Sequence, residues 1–388
     1  MLKVGIIGCG NAGNQVCALC AKKYPDIPVV AINCSEKDMQ TLPNTIRKVS
    51  IGDGKGAGKN RDEAKNFLQN SIMEFLSDED IKKFLTSLDI VFIVSSTGGG
   101  TGSGISLLLN NIIRNVYEDS EYPVFPISVG VLPTISEALS TQANSLGYLT
   151  DLYEVLDQPT YMLYDNDRFA KLSAVDTLRT VNERIVEDIN VLRGYYNGPT
   201  TVNSIDERDA MTLITAPGRL VVASLFDVKE KDCDDTATLE DKLIAELNRN
   251  AHAEIQLDGI VYGTGVISNL SKEMLSKFDT RVKKIQETVG CPVEEFEHTV
   301  VNEDRKLPNN VFYIASGLSD VNDRIIKIKD RITEITEAQR KKADDTELDK
   351  DVLKAINAKR VYRTSPTAEK PEQKTAVDIA GIFNKFKH

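Results

Sequence analysis

The chain is poor in the residues behind several common chemistries. It has three histidines in 388 residues, and no cluster of them completes a zinc site. Its six cysteines, Cys9, Cys17, Cys20, Cys34, Cys233 and Cys291, are scattered and form no disulfide framework. Cys17 and Cys20 are three apart, but no second close pair accompanies them. Basic residues fall short of acidic ones, 47 against 58, for a net charge of −11. An acidic surface repels phosphates, which excludes DNA binding through the bulk of the molecule. No apolar window approaches the length of a membrane span, so no transmembrane segment is expected. The opening MLKVGIIGCG has one Lys and then a strand-like run, unlike a signal peptide. A reducing, cytoplasmic protein is expected.

What is present is ordinary for a soluble globular protein, with 41% hydrophobic and 27% charged residues. A core of this size forms without disulfide staples. The first half alternates strands and helices. Lys3–Ile7, Val29–Asn33, Asp89–Ser96 and Val124–Val131 read as strands, and helical patterns run to Lys22 and over Ile105–Val116. Such alternation predicts a parallel sheet covered on both faces. A long helix follows over Leu172–Tyr195, with Val175, Leu178, Val181, Ile185, Ile189 and Leu192 at helical spacing. Further strands are read at Leu220–Leu225, Gly259–Ile267 and Val311–Ser316, with helices near Thr238–Asn248 and Ser271–Val289. The fold class is therefore α/β. A doubly wound parallel-sheet domain is expected over 1–171 and a central helix over 172–195. A second, smaller α/β domain follows over 196–318, then a C-terminal helix over 319–360 and a flexible tail over 361–388.

Two glycine-rich turns each follow a buried strand and open a helix. The first, Gly8 to Gln15, is a complete G-x-G-x-x-G containing Gly10, Asn11, Ala12, Gly13 and Asn14. Alone it is a weak signal. The second runs Thr97-Gly98-Gly99-Gly100-Thr101-Gly102-Ser103-Gly104, with five glycines in the seven residues from Gly98. Such a run weakens any structure that has no need of exposed backbone. Glycine lets main-chain N–H groups approach an anion, and a helix N-terminus adds free donors and a favourable dipole. A third turn, Gly52 to Asn60, includes Gly56, Ala57 and Gly58 and is placed to close over the same phosphates. It fails as a P-loop, because Asp53 stands where the first Gly belongs and Asn60 where a magnesium-binding Ser or Thr belongs.

GGGTGSG at Gly98–Gly104 resembles the signature of the tubulin/FtsZ superfamily, and GNAGNQV at Gly10–Val16 resembles tubulin's first phosphate loop. The resemblance covers roughly residues 1–320 and implies a filament-forming GTPase using GTP/GDP and Mg2+, with no certain protein ligand to the metal. It also implies site residues. Asn182, in Asn182-Glu183-Arg184-Ile185, matches the central-helix Asn that reads the purine edge, an amide offering both donor and acceptor. Asn33 ends the second strand beside the phosphate turns. Tyr164 to Arg168 resembles the ribose and base loop, with Asp165 or Asn166 in the contacting role. Pro133 and Glu137 match the ribose-side loop, although the family's following Arg is missing at Ser140 and Thr141.

Asp206-Glu207-Arg208-Asp209 resembles the family's loop that completes hydrolysis in the neighbouring subunit. Asp206 and Asp209 are the catalytic candidates, since two carboxylates near a γ-phosphate orient and polarise an attacking water. Asp206 also reads as a helix N-cap. The family's Asn-x-Asp spacing is imperfect, with Asn203 three residues before Asp206. Leu213 to Val222, with its Pro-Gly-Arg, and Ala31 to Met39 look more like the TubZ plasmid- and phage-segregation tubulins than like cell-division FtsZ. This points to DNA segregation in a bacterial host cytoplasm.

In the tail, Ile379, Ile382, Phe383 and Phe386 fall at i, i+3, i+4 and i+7 with Lys385 and Lys387 between them. That is an amphipathic pattern for a partner groove. By resemblance the partner is a DNA-bound adaptor. The chief rival function, an NAD-dependent oxidoreductase, expects an acidic residue at the end of the second strand. Here Asn33, Cys34 and Ser35 come before Glu36. That rival also gives the GGGTGSG turn no role.

Overall fold

Short apolar runs rich in Val and Ile become the inner strands of one large sheet. The computed structural model describes residues 2–345, apart from 195–203, 234–235, 250–251, 256–259, 278–281, 283–284, 286, 288–291, 303–307 and 319–321. In chain order the strands are β1 (Val4–Cys9), β2 (Val29–Asn33), β3 (Arg47–Ser50), β4 (Ile90–Ser96), β5 (Phe125–Leu132) and β6 (Thr160–Asp165). They are followed by β7 (Gly218–Leu225), β8 (Ile260–Leu270), β9 (Glu294–Val301) and β10 (Asn310–Leu318). The helices are α1 (Gly10–Lys23), α2 (Glu36–Gln40), α3 (Arg61–Ser77), α4 (Glu79–Thr86), α5 (Thr101–Tyr117), α6 (Leu139–Glu154) and α7 (Ala174–Gly194). After these come α8 (Glu207–Thr215), α9 (Thr236–Arg249), α10 (Lys272–Leu275) and a C-terminal helix, Asn322–Asp345.

The ten strands lie in the order β3-β2-β1-β4-β5-β6-β7-β10-β8-β9. Pairing is parallel from β3 through β7, antiparallel on both sides of β10, and parallel again between β8 and β9. The two sets of strands read from the sequence therefore share one sheet. The join is narrow: β6 meets β7 only through Thr160–Gly218 and Tyr161–Arg219.

Strand alternation sends successive side chains to opposite faces, and both faces are covered. Ile6, Phe92, Val94, Ile127 and Val129 pack with Val181, Ile185 and Ile189 of α7. Ile7, Val91 and Ile93 pack with Leu68 and Ile72 of α3 and with Ile105 and Leu109 of α5. Beyond β7, Val221 and Ala223 pack with Leu239, Leu243 and Leu247 of α9. The C-terminal helix lies on α6, where Ile328 joins Tyr148, Leu149 and Leu152.

The run read over Ser271–Val289 opens as α10 to Leu275, turns at Ser276–Lys277 and is helical again at Ile285 and Glu287; its remaining residues lie largely outside the described ones. Ser271 caps the start of α10 by accepting from Met274 N at 3.3 Å, and Ser276 ends that helix. Among the described residues no helix is long and apolar enough to cross a membrane. Asn203, Cys291 and the amphipathic tail pattern lie outside the described residues.

Candidate functional site

The first two glycine turns sit side by side at the carboxyl ends of β1 and β4, which pair in parallel from Val4–Ile90 to Cys9–Ser95. This is the crevice where open α/β sheets take ligands. Gly10 adopts φ +69°, and a Cβ there would lie 2.8 Å from Gly102 N. Gly13 lets α1 pack directly on β4, since a Cβ would meet Val94 O at 2.1 Å. Gly100 and Gly104 allow equally close approach of Lys59 and Arg61, which brings the third turn onto the second. Gly99 differs: no atom lies within 4 Å of where its Cβ would be. Most of these glycines let main chains touch one another, while Gly99 keeps a face open.

The helices that start here are unlike most others in the chain. Neither α1 nor α5 has a side-chain cap or an acidic residue in its first turn. By contrast, α2, α3, α4 and α8 are capped by Ser35, Asn60, Asp78 and Asp206, each followed by first-turn acids. Two helix N-termini with free N–H groups and an undiminished dipole converge on the open face at Gly99. Asn11 and Gln15 are exposed there, and Ala12 and Thr101 are half-buried. Burial pushes the nearby Cys9 and Cys17 thiols up, so they stay neutral.

Several predicted side chains are engaged inside the protein instead. Thr97 Oγ1 donates to Val131 O at 3.1 Å and meets Ser145 Oγ at 2.8 Å. Ser103 Oγ donates to Gly99 O. The Asn14 amide donates to Gly8 O at 2.7 Å and to Gly10 O at 3.3 Å, which shapes the first turn from within. Only the main chain of Thr97 and Ser103 is left to face a ligand. Asn60 caps α3 through Asp62 N at 3.0 Å and Glu63 N at 3.3 Å, a helical role in place of a metal-binding one. Gly56 and Gly58 take positive φ, and Ala57 is buried beneath them.

Asn144 on α6 was not singled out from sequence. Its Nδ2 lies 3.0 Å from Lys59 O, 3.3 Å from Gly98 O and 3.1 Å from Gly99 O, so it ties the third turn to the second. Nothing in its local sequence marks it, because the contact exists only once α6 lies over both turns.

Toward β5 and β6 the site changes character. Pro133 is buried and Glu137 is exposed, with Glu137 Oε1 accepting from Thr134 N at 3.0 Å. Asp165 is 4% exposed and forms a two-point pair with Arg324, Nε to Oδ2 at 2.7 Å and Nη2 to Oδ1 at 3.1 Å. Its Oδ1 also accepts from Asp167 N at 3.0 Å. Burial raises the Asp165 carboxyl and Arg324 opposes that rise. Asn166 beside it is buried, and its Oδ1 has no protein partner. Asn33 Nδ2 is likewise buried without a partner, although its Oδ1 accepts from Ser35 N at 3.3 Å. A buried amide group left unpaired costs about 1–3 kcal/mol, so both positions favour a ligand with polar edges. Asn182 is half-buried on α7, the helix on which half-buried Arg184 also pairs with the fully buried Asp188 at 3.0 Å.

Asp206 and Asp209 lie at the other end of the sheet. They form a reciprocal cap on α8: Asp206 Oδ1 accepts from Asp209 N at 2.9 Å, and Asp209 Oδ2 accepts from Asp206 N at 3.4 Å. A cavity of about 350 Å³ is lined by Glu207, Arg208 and Met211 together with Leu2, Asp89, Val124 and Phe125. Those last four residues sit at the amino ends of β1, β4 and β5. A strand advances about 3.3 Å per residue, so the acidic loop and the glycine turns are on the order of 20 Å apart in one chain.

With this geometry in place, the comparisons give the class. Residues 3–174 match the tubulin/FtsZ family, GTPase domain. This chain carries a tubulin/FtsZ-type GTPase domain on an α/β fold. It is 25% identical to the tubulin-like protein TubZ of Clostridium botulinum C phage over 247 residues, 63% of this chain and 64% of that protein. Less than two thirds of the phage protein's length is therefore matched. CetZ from Methanosaeta thermophila superposes with a TM-score of 0.71 at 18% identity, covering 94% of this chain and 100% of that one. A GTPγS-form protofilament of Bacillus thuringiensis serovar israelensis TubZ superposes with a TM-score of 0.66 at 20% identity, covering 89% and 95%.

Proposed function

We propose that this protein is a cytoskeletal GTPase that assembles head to tail and hydrolyses GTP between subunits. One observation carries the reading: the anion cradle and the paired carboxylates lie at opposite ends of the sheet. A site divided in this way needs two molecules. A contact between unlike faces repeats into an open filament when its rotation does not close. The protofilament form of a TubZ with this fold supports the same reading.

In this reading the phosphates rest on the main chain of Gly10–Gln15 and Gly98–Gly104, with Gly56–Gly58 closing over them. Asn33, Asn166 and Asn182 contribute amides to the ribose and base. Asn166 takes the contacting role, because Arg324 and Asp167 occupy Asp165. Pro133 and Glu137 border the ribose. Magnesium carried in with the nucleotide at the glycine turns would neutralise charge on the transferred phosphoryl group; among the described residues no cluster of His, Cys, Asp and Glu is placed to hold it. Asp206 and Asp209 of the next subunit orient water, and α7 divides the nucleotide half from the activating half.

Plasmid or phage DNA segregation is the proposed task, with a DNA-bound adaptor as partner of the C-terminal tail. Pelleting and negative-stain microscopy test the assembly. Filaments should form above a critical concentration with GTP, persist with a non-hydrolysable analogue and shrink with GDP. A monodisperse monomer at high concentration with GTP and magnesium would overturn the reading.

A further inference from the structure

We propose that Arg324 is a positioning residue through which the C-terminal helix sets the shape of the ribose-side wall of the nucleotide site. This rests on the nucleotide reading above and concerns a helix that lies outside the matched GTPase domain, residues 3–174.

Arg324 stands in the first turn of the C-terminal helix and is 3% exposed. Its guanidinium reaches across 159 residues of sequence to Asp165, at the carboxyl end of β6, with contacts of 2.7 and 3.1 Å. The same Nη2 also donates to Pro133 O, at the carboxyl end of β5. One side chain thus holds two loops that border the site. A third contact completes the clasp, where Asp167 Oδ1 accepts from Ile135 N at 3.0 Å. Arg324 Nη1 is buried with no protein partner, so its burial is not repaid by pairing alone.

The geometry of the pair matters more than its charge. A guanidinium fork meets a carboxylate at two points and fixes orientation, which a lysine ammonium does not. Asn166 follows Asp165 directly, so the clasp also fixes where its unpaired Oδ1 points. The helix is held independently by Ile325, Ile328 and Ile332 against α6, including Leu149 and Leu152. Seating of the helix and shape of the wall are therefore joined at one residue. Anything that lifts the start of this helix loosens the wall, and a bound nucleotide in turn favours the seated helix.

Two variants of the full chain separate this from a general loss of stability. Arg324→Gln removes the fork, and Ile328→Ala loosens the helix while leaving the fork in place. Without nucleotide, hydrogen exchange of amides in 134–137 and 166–169 should quicken in Arg324→Gln and stay near wild type in Ile328→Ala. With a fluorescent GTP analogue, well below the melting temperature of each variant, Arg324→Gln should bind about tenfold more weakly or worse. Arg324→Lys should recover little of that loss. The double variant Arg324→Gln, Asp165→Asn should bind no more weakly than Arg324→Gln alone. Unchanged exchange in Arg324→Gln overturns the clasp. Equal losses of affinity in Arg324→Gln and Ile328→Ala overturn the positioning role. A wild-type chain that binds no guanine nucleotide removes the functional reading, and the exchange experiment still decides on the clasp.

Discussion

Gly10 and Gly102 meet main chain to main chain, with Gly102 N 2.8 Å from where a Cβ on Gly10 would stand. The first and second glycine turns are thus one packed unit. Gly10→Ala should cost at least about 2 kcal/mol, from positive φ and from overlap with backbone that cannot yield. Gly99→Ala should behave in the opposite way. With nothing within 4 Å of the added methyl, stability should hold while GTP affinity falls roughly tenfold. Thermal melts and nucleotide titrations on the two variants check this. Equal behaviour would remove Gly99 from the ligand face.

Asp206 caps α8, and one substitution can separate that cap from the catalytic role proposed for it. Asn caps a helix about as well as Asp, so Asp206→Asn should melt with wild type. Without the carboxylate, turnover should fall on the order of 100-fold while GTP binding persists. Mixing tests whether the site is shared. A Gly99→Val chain, blocked for nucleotide, still offers its own Asp206 to a neighbour. Mixed with Asp206→Asn, it should restore part of the GTPase activity. An additive mixture with no recovery would place hydrolysis within one chain.

The inner strand β6, Thr160-Tyr-Met-Leu-Tyr-Asp165, was not read from the sequence, because its short run mixes tyrosines with polar ends. The other inner strands and the two glycine turns were legible because burial on both faces leaves unbroken apolar runs, as in Ile90–Ser96. The edges were not. β3 is the polar Arg47-Lys-Val-Ser50, and β9 carries Glu294, Glu295, Glu297 and His298, so neither shows such a run. Asp206 was legible as a cap because capping is local. Asn144 and Arg324 were not, since their partners lie 46 and 159 residues away. The turn at Ser276–Lys277 inside the helical run read over Ser271–Val289 was not legible, because apolar spacing continues across it.

Asp188 on α7 is fully buried, and its carboxylate serves three side chains. Arg184 Nε lies 3.0 Å from Oδ1, while Tyr164 Oη of β6 donates to Oδ2 at 2.8 Å. His252 Nε2 lies 3.0 Å from that same oxygen. Burial, with Asp188 beside it, pushes the Tyr164 hydroxyl well up, so it remains a donor. Asp188→Ala should destabilise by about 3–5 kcal/mol, because it takes the carboxylate from Tyr164 and His252 and leaves Arg184 with Glu246 as its ion-pair partner. Replacing Tyr164 with Phe should cost less, about 1.5–3 kcal/mol, the worth of a hydrogen bond to a charged group. Urea denaturation of both variants checks the ratio, and equal losses would assign the cost to packing.

His298 should give the loop that opens α8 a pH dependence. Its Nδ1 accepts from Ile205 N at 3.1 Å, one residue before Asp206, and a protonated ring has no lone pair to do so. Burial lowers its pKa below the ordinary histidine value. A depressed pKa means the unfolded chain takes up the proton first. The contribution of His298 to stability is therefore complete above about pH 6.5 and is lost as pH falls through the folded pKa. His252 is lowered in the same direction, so melting alone does not isolate one ring. The diagnostic quantity is turnover relative to GTP binding. As pH falls from about 7.5 through the folded pKa of His298, turnover should fall while binding holds, because the carboxylates lose their anchor and the glycine turns do not. His298→Asn keeps an acceptor near the Nδ1 position and removes the titration. Its turnover should stay close to wild type at pH 7.5 and decline less in acid. An acid limb as steep as wild type in His298→Asn would show that another group titrates.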